Sequence, residues 1–218
     1  VLHVGDCFPW LKSLASNSVD ALVTDPPYGI GFGYDHHDDN PAGYIEWLWP
    51  IIEECERIVK PGAPLIVWQS GTNTRRLSEW FPREWRLFVA AKNFVQMRKT
   101  VMQYAYDPVL VWWKPGAPAW SAGTLSRDFH VAGTTPQERK KHGDIVVGHP
   151  CPRPLHQVRH IIEQWVPPGG VVLDPFLGSG TTAIACEQSG RRWLGAEISA
   201  EYASLINDRW LRRMLGDA

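Results

Sequence analysis

The sequence predicts an α/β domain built on a mostly parallel sheet. Three observations carry that expectation. Short apolar runs alternate with amphipathic stretches through nearly all 218 residues, four of the runs end in an acid, and a glycine-rich turn joins one run to a helical stretch. A chain of this length makes one domain, residues 1–218, large enough to bury a real core and short for two.

The elements follow in order. VLHVG and DALVTD read as strands, with a short helix from about Phe8 to Ala15 between them. Ile45, Leu48, Trp49, Ile52 and Val59 recur at helical spacing, and Lys60-Pro61-Gly62 stops that helix. PLIVWQ is the next buried strand, then a helix from about Asn73 to Trp80. WRLFVAAK and PVLVWWK are strands with no convincing helix between them, so that pair is expected to be antiparallel. Residues 115–148 have little periodicity and many Gly, Pro, Ser and charged residues, and read as a long loop. A helix from Leu155 to Trp165, the strand GVVLD, a helix from about Thr181, the strand RRWLGAEI and a last helix from about Ala200 complete the series.

Composition narrows the function. Twenty-two basic against 23 acidic residues leave a formal charge of −1, so a nucleic-acid reader would need a local basic surface. Cys7, Cys55, Cys151 and Cys186 lie far apart without a CxxC pair, which argues for reduced thiols and against a disulfide framework or a zinc site. No apolar run approaches membrane-spanning length and no charged-then-apolar leader opens the chain, so the expectation is a cytoplasmic protein. Val1 already lies inside an apolar run, which suggests a start that is trimmed or lies upstream.

The acids are Asp6, Asp25, Asp174 and Glu197. In an open parallel sheet the strand C-termini share one edge, and ligands bind in the crevice there. Any one of the four could simply cap the next helix. Four together predict a common site. In LDPFLGSGTTAIA, residues 173–185, a strand ends at Asp174, a turn follows, and a helix begins near Thr181. Gly178 and Gly180 let the backbone approach a ligand, and the helix N-terminus favours a carboxylate or other anion. Glu197 lies 23 residues beyond Asp174, where an acid binds ribose hydroxyls in nucleotide-binding βαβ units. The spacing is not GxGxxG and no P-loop Lys-Ser/Thr is present, which disfavours a dinucleotide or a triphosphate. A nucleoside with a carboxylate tail, such as S-adenosylmethionine, suits the pattern better.

DPPY at 25–28 and DPFLGSGTT at 174–182 resemble the catalytic and cofactor motifs of amino-directed DNA methyltransferases, and HPCPRP at 149–154 resembles their HPTQKP segment. The catalytic motif precedes the cofactor motif, as in the β group. The resemblance covers nearly the whole chain except 115–148. It implies the Rossmann-like methyltransferase fold with a seven-stranded sheet and one antiparallel strand, S-adenosylmethionine as cofactor without a metal, and DNA with a flipped target base as partner. A homodimer is compatible with it. Asp174, Pro175, Phe176, Gly178, Ser179, Gly180 and Thr181 would surround the cofactor, with Glu197 on its ribose and Asp6 on its adenine. His149, Pro150 and Pro154 match the third motif, whereas Cys151, Pro152 and Arg153 depart from it. The implied activity is methylation of the exocyclic amino nitrogen of adenine. Alternatives are the cytosine amino group, an RNA target, or an inactive cofactor-binding recognition subunit.

The catalytic motif has a physical logic. An aromatic amine is a poor nucleophile because its lone pair is delocalised into the ring. Two acceptors on its hydrogens, the Asp25 carboxylate and the Pro26 carbonyl, can draw the nitrogen towards tetrahedral geometry. Pro26 and Pro27 fix φ and remove amide donors, so the acceptors are held rigidly. Tyr28 would stack on the flipped base.

Other signals carry less. DHHDDN at 35–40 looks like a metal cluster, but adjacent His36 and His37 point apart and the segment reads as a solvated loop, a candidate lid over the base. Trp112 and Trp113 must face opposite sides of a strand. Arg98 and Lys99, with Arg83, Arg86 and Lys92, form one basic stretch, and Arg139, Lys140 and Lys141, with Arg127, form another. They are the expected phosphate contacts. Residues 115–148 are the expected target-recognition segment, and the acidic stretch Glu46–Glu56 should face away from nucleic acid.

Overall fold

A computed structural model of the protein describes residues 1–33, 39–40, 42–71, 73–74, 84–93, 105–117, 127–141, 144, 148 and 152–214. The expected helix between Asn73 and Trp80 lies almost entirely outside them, as do residues 35–38 of the acidic-histidine segment. The described chain runs β1 (Leu2–Val4), α1 (Cys7–Ser13), β2 (Ala21–Thr24), α2 (Tyr44–Ile58), β3 (Pro64–Trp68), β4 (Arg86–Lys92) and β5 (Tyr106–Trp113). It continues with β6 (Phe129–Ala132), α3 (Pro136–Lys141), α4 (Leu155–Trp165), β7 (Val171–Asp174), α5 (Thr181–Gln188), β8 (Arg192–Glu197) and α6 (Ala200–Met214).

The strands form one eight-stranded sheet in the order β1-β8-β7-β2-β3-β5-β4-β6. Every pairing is parallel except the two made by β5, with β3 and with β4. The β4–β5 pair is antiparallel, as expected from the sequence. β2 and β3 are buried along their whole length, as continuous apolar runs in the middle of a two-sided sheet must be. Leu22 and Leu65 turn to a core shared with Leu11 of α1 and Ile52 of α2, while Val23 and Ile66 turn to one shared with Ile161 of α4 and Ile184 of α5. Helices therefore cover both faces. Burying Leu155, Val158, Ile161 and Ile162 on one stripe stabilises α4 against the sheet by about 1.5–3 kcal/mol per side chain. Trp112 is buried and Trp113 is 42% exposed, as opposite faces require.

Two elements correct the expectation of a loop over 115–148. β6 adds an eighth strand, pairing with β4 through Val89 opposite Phe129 and Lys92 opposite Ala132. Four residues on a sheet edge are too few to show a period. α3 has no apolar stripe, so periodicity missed it, but Thr135-Pro136-Gln137-Glu138 is a capping box with proline at the first helical position. Thr135 Oγ1 accepts the Glu138 amide at 3.3 Å and donates to the Glu138 carboxylate at 3.1 Å. That signal was present in the sequence. Among the described residues no helix is long and apolar enough to cross a membrane.

Candidate active site

The four acids end β1, β8, β7 and β2, which are consecutive strands of the sheet. Their parallel register sets Val4 beside Glu197, Asp174 beside Gly195, and Leu22 beside Leu173, so all four chains leave the sheet at one edge. Connections from β2 run towards β3 over one face, and those from β7 run towards β8 over the other. The crevice between β7 and β2 is therefore the switch point where α/β sheets bind ligands.

On the β7 side Asp174 is 3% exposed. Its Oδ1 accepts from Thr24 Oγ1 at 2.7 Å and from the Phe176 amide at 3.0 Å. Burial pushes its carboxyl up to about 6 against the pull of those donors. The turn that follows needs its glycines: Gly178 has φ 52° and Gly180 φ 80°, and a Cβ on Gly180 would lie 2.9 Å from Ile206 Cγ1. Glu197 braces the turn, accepting from the Gly178 amide at 2.7 Å and the Ser199 amide at 2.8 Å. The buried Ser179 offers its carbonyl to Arg209 at 2.5 Å. α5 has Gly180 at its N-cap, and among the described residues no side chain caps its first turn and the buried Thr181 hydroxyl has no partner, a helix start of the kind that binds anions. Asp6 caps α1, accepting from the Phe8 amide at 2.9 Å, beside the end of β8. Pro175 and Phe176 follow Asp174, and Phe176 packs on Trp47 of α2 with ring centroids 5.7 Å apart.

On the β2 side the chain turns out of the sheet at Asp25-Pro26-Pro27-Tyr28. The Tyr28 hydroxyl donates to Asp25 Oδ1 at 2.7 Å. Arg153 grips the same carboxylate with two donors, Nε to Oδ2 at 2.5 Å and a terminal nitrogen to Oδ1 at 3.1 Å. Its guanidinium also donates to the Tyr28 hydroxyl and to Asp107 Oδ2. Asp107 belongs to β5, and because that strand runs backwards its start lies at the edge where the others end. Lys92, at the end of β4, holds the other Asp107 oxygen at 2.7 Å. Burial, then the nearby carboxylates, push the Tyr28 phenol well above its ordinary value despite Arg153. For Arg153, burial opposes the charge, but Asp25, Tyr28 and Asp107 together raise it well above the usual guanidinium value. Both groups stay protonated donors.

Past Tyr28 the backbone wraps round Asp39, whose carboxylate accepts from the amides of Gly29 at 2.5 Å and of Ile30 and Phe32 at 3.0 Å each. The Asn73 side chain donates to the Tyr28 carbonyl. Asp39 thus fixes the exit of the Asp25-Pro26-Pro27-Tyr28 turn, a role not legible in a polar run of His and Asp.

The structure brings Asp6, Asp25, Tyr28, Asp174, Thr181 and Glu197 to one edge. His149, Pro150, Arg98 and Lys99 lie outside the described residues. Pro154 caps α4, and Arg153 beside it lies on Asp25 rather than on the glycine-rich turn. Arg139, expected to meet a phosphate, is instead paired with the buried Asp144 at 2.9 Å, because an uncompensated carboxylate there would be costly. Lys140 is exposed, and the side chain of Lys141 is outside the described set. Arg153 and Asp107 were missed because their partners lie 46 and 128 positions away, and Asp39 because nothing in a polar run of His and Asp marks which carboxylate takes the backbone amides. The one available hint was arginine in the third motif.

The family comparison agrees with this geometry. The model of a DNA methylase family, of N6 and N4 type, matches residues 19–208, and the chain belongs to that family. It is 27% identical over 236 residues to the DNA adenine methyltransferase YhdJ of Escherichia coli, spanning 94% of this chain and 80% of the relative. Among solved structures it resembles the PvuII DNA methyltransferase, described as cytosine-N4-specific, with TM-score 0.77 and 19% identity over 96% of this chain and 85% of that one. It also resembles the M1.HpyAVI–SAM complex, with TM-score 0.71 and 23% identity over 95% and 98% of the two chains.

Proposed function

We propose that the protein transfers a methyl group from S-adenosylmethionine to the exocyclic amino nitrogen of adenine in DNA. The observation that carries this reading is the adjacency of two strand ends at the switch point: the Asp25 acceptor on β2 and the Asp174-to-Thr181 turn opening α5 beside it. The residues present fit the cofactor. The uncapped first turn of α5 suits its carboxylate, and the unpartnered Thr181 hydroxyl supplies a further polar contact. Glu197 ends β8 at the same edge and holds the glycine turn through the Gly178 and Ser199 amides, the place from which an acid reaches ribose hydroxyls in βαβ nucleotide sites. Asp6 lies next to it for the adenine ring.

When bound, the cofactor supplies an electrophilic methyl group on sulfur. The protein's part is alignment. Asp25 and the Pro26 carbonyl accept the two amine hydrogens and so expose the nitrogen lone pair. Tyr28 stacks on the base. The proton lost from the methylated amine passes to Asp25 and then to water. Proximity in a pre-set site supplies most of the acceleration, since the donor is already reactive.

Adenine is supported by the acid at the first position of the catalytic motif and by the adenine-methylating relative. The cytosine reading draws on the PvuII likeness, which at 19% identity concerns the fold alone. DNA contact is assigned to the face carrying β6, α3 and Lys140, within 115–148. The test is methylation of mixed-sequence duplex DNA with labelled cofactor, followed by mass spectrometry of the digested product. N6-methyladenine is expected. Methylcytosine alone would refute the base and leave the mechanism standing, and transfer to RNA but not DNA would refute the substrate.

A further inference from the structure

Arg153 presents, to the residues assigned to the target base, the features of a base. It is planar, directs two N–H donors at the Asp25 carboxylate, and lies over the Tyr28 ring with its central carbon 5.6 Å from the ring centroid. It satisfies Oδ1 together with the Tyr28 hydroxyl, so that oxygen has no lone pair left for an incoming amine. A guanidinium here also opposes the reaction, because positive charge grows on the amine as the methyl group arrives. A second carboxylate lies ready. Asp107 already holds another nitrogen of the same guanidinium, and Lys92 anchors it from behind.

We propose that Arg153 is a positioning residue that stands in for the target base in the DNA-free protein and is handed to Asp107 when the base enters. The inference rests on the reading of Asp25 as the amine acceptor. The Arg153 side chain is 18% exposed and Asp107 equally so, which places the exchange at the mouth of the site. The stand-in keeps Asp25 and Tyr28 in their working orientation, and each base entry must break a two-donor ion pair.

The probe is a duplex carrying the methylated site, with 2-aminopurine at the target position, whose fluorescence rises when the base leaves the stack. Methyl transfer is followed in parallel. Arg153→Gln is expected to bind the flipped probe about tenfold more tightly and to lower KM for DNA by the same factor. Asp107→Asn, which removes the off position, is expected to weaken both at least threefold. The double variant is expected to behave as Arg153→Gln alone, because without the arginine there is nothing to hand over. Arg153→Lys keeps the charge but not the fork, should fall between wild type and Arg153→Gln, and serves if Arg153→Gln folds poorly. Weaker probe binding in Arg153→Gln and Arg153→Lys, or an Asp107→Asn defect that persists in the double variant, would overturn the inference. Failure of the wild type to methylate any DNA would instead overturn the functional reading beneath it.

Discussion

Replacing Asp174 by asparagine should make the protein more stable at neutral pH than in acid relative to wild type, although the carboxylate is the better hydrogen-bond acceptor. Burial raises the Asp174 carboxyl from its ordinary 3.8 to about 6. Below pH 3.8 the group is protonated in folded and unfolded chains alike and contributes no pH dependence. Between 3.8 and 6 the unfolded chain ionises first, so the folded state binds more protons and wild-type stability falls by about 1.4 kcal/mol per pH unit. Above 6 both states are ionised and the accumulated cost is constant at about 3 kcal/mol. Asp174→Asn does not titrate, so hydrogen-bond changes from the swap offset the two curves by a constant and only the pH-dependent part reports the carboxyl. The assay is urea unfolding of both proteins without cofactor from pH 4 to pH 8. The difference in unfolding free energy should move by about 2–3 kcal/mol in favour of the variant, with the change complete just above pH 6. A difference that is flat across this range, or that moves the other way, would refute the assignment of Asp174 as a strained buried carboxylate.

Asp25→Ala should reduce methyl transfer at least a thousandfold while calorimetry finds cofactor affinity within about threefold of wild type, as expected of a group that acts only on the amine. A loss of cofactor affinity matching that of Glu197→Ala would contradict this division of labour. Gly180→Ala forces a side chain into φ 80° and against Ile206, for a cost of about 2–4 kcal/mol in unfolding experiments; an unchanged midpoint would show that the turn relaxes freely. Amide exchange across residues 115–148 should slow when substrate DNA is added, and identical exchange with and without DNA would remove this segment from the interface.

Much of the fold could be read from local pattern. The strands around Leu22, Leu65 and Leu173 are apolar because both faces of a central strand are covered, and that burial is written residue by residue. α4 begins at Leu155 and ends at Trp165 as its apolar spacing predicts. The shared edge of Asp6, Asp25, Asp174 and Glu197 was equally legible, since parallel strands joined by helices must end together. Short range limited the rest. β6 consists of four residues whose meaning lies in their pairing with β4, and α3 is held by a cap instead of a stripe. Arg139 looked like a phosphate contact because the burial of Asp144, five residues on, comes from tertiary packing and not from the local pattern.

The motif DPPY, the glycine turn and their order along the chain carried the expected chemistry, because rigid acceptors, positive-φ backbone and a helix start are local properties of the residues that make them. Tertiary structure alone decided what surrounds that chemistry. Asp25, Asp107 and Arg153 meet across β3 only because β5 runs against its neighbours and brings its first residues to the edge where β2 and β4 end. A hydrogen-bonded ion cluster among residues 46 and 128 positions apart depends on sheet order and strand direction, and no window of neighbouring residues contains either.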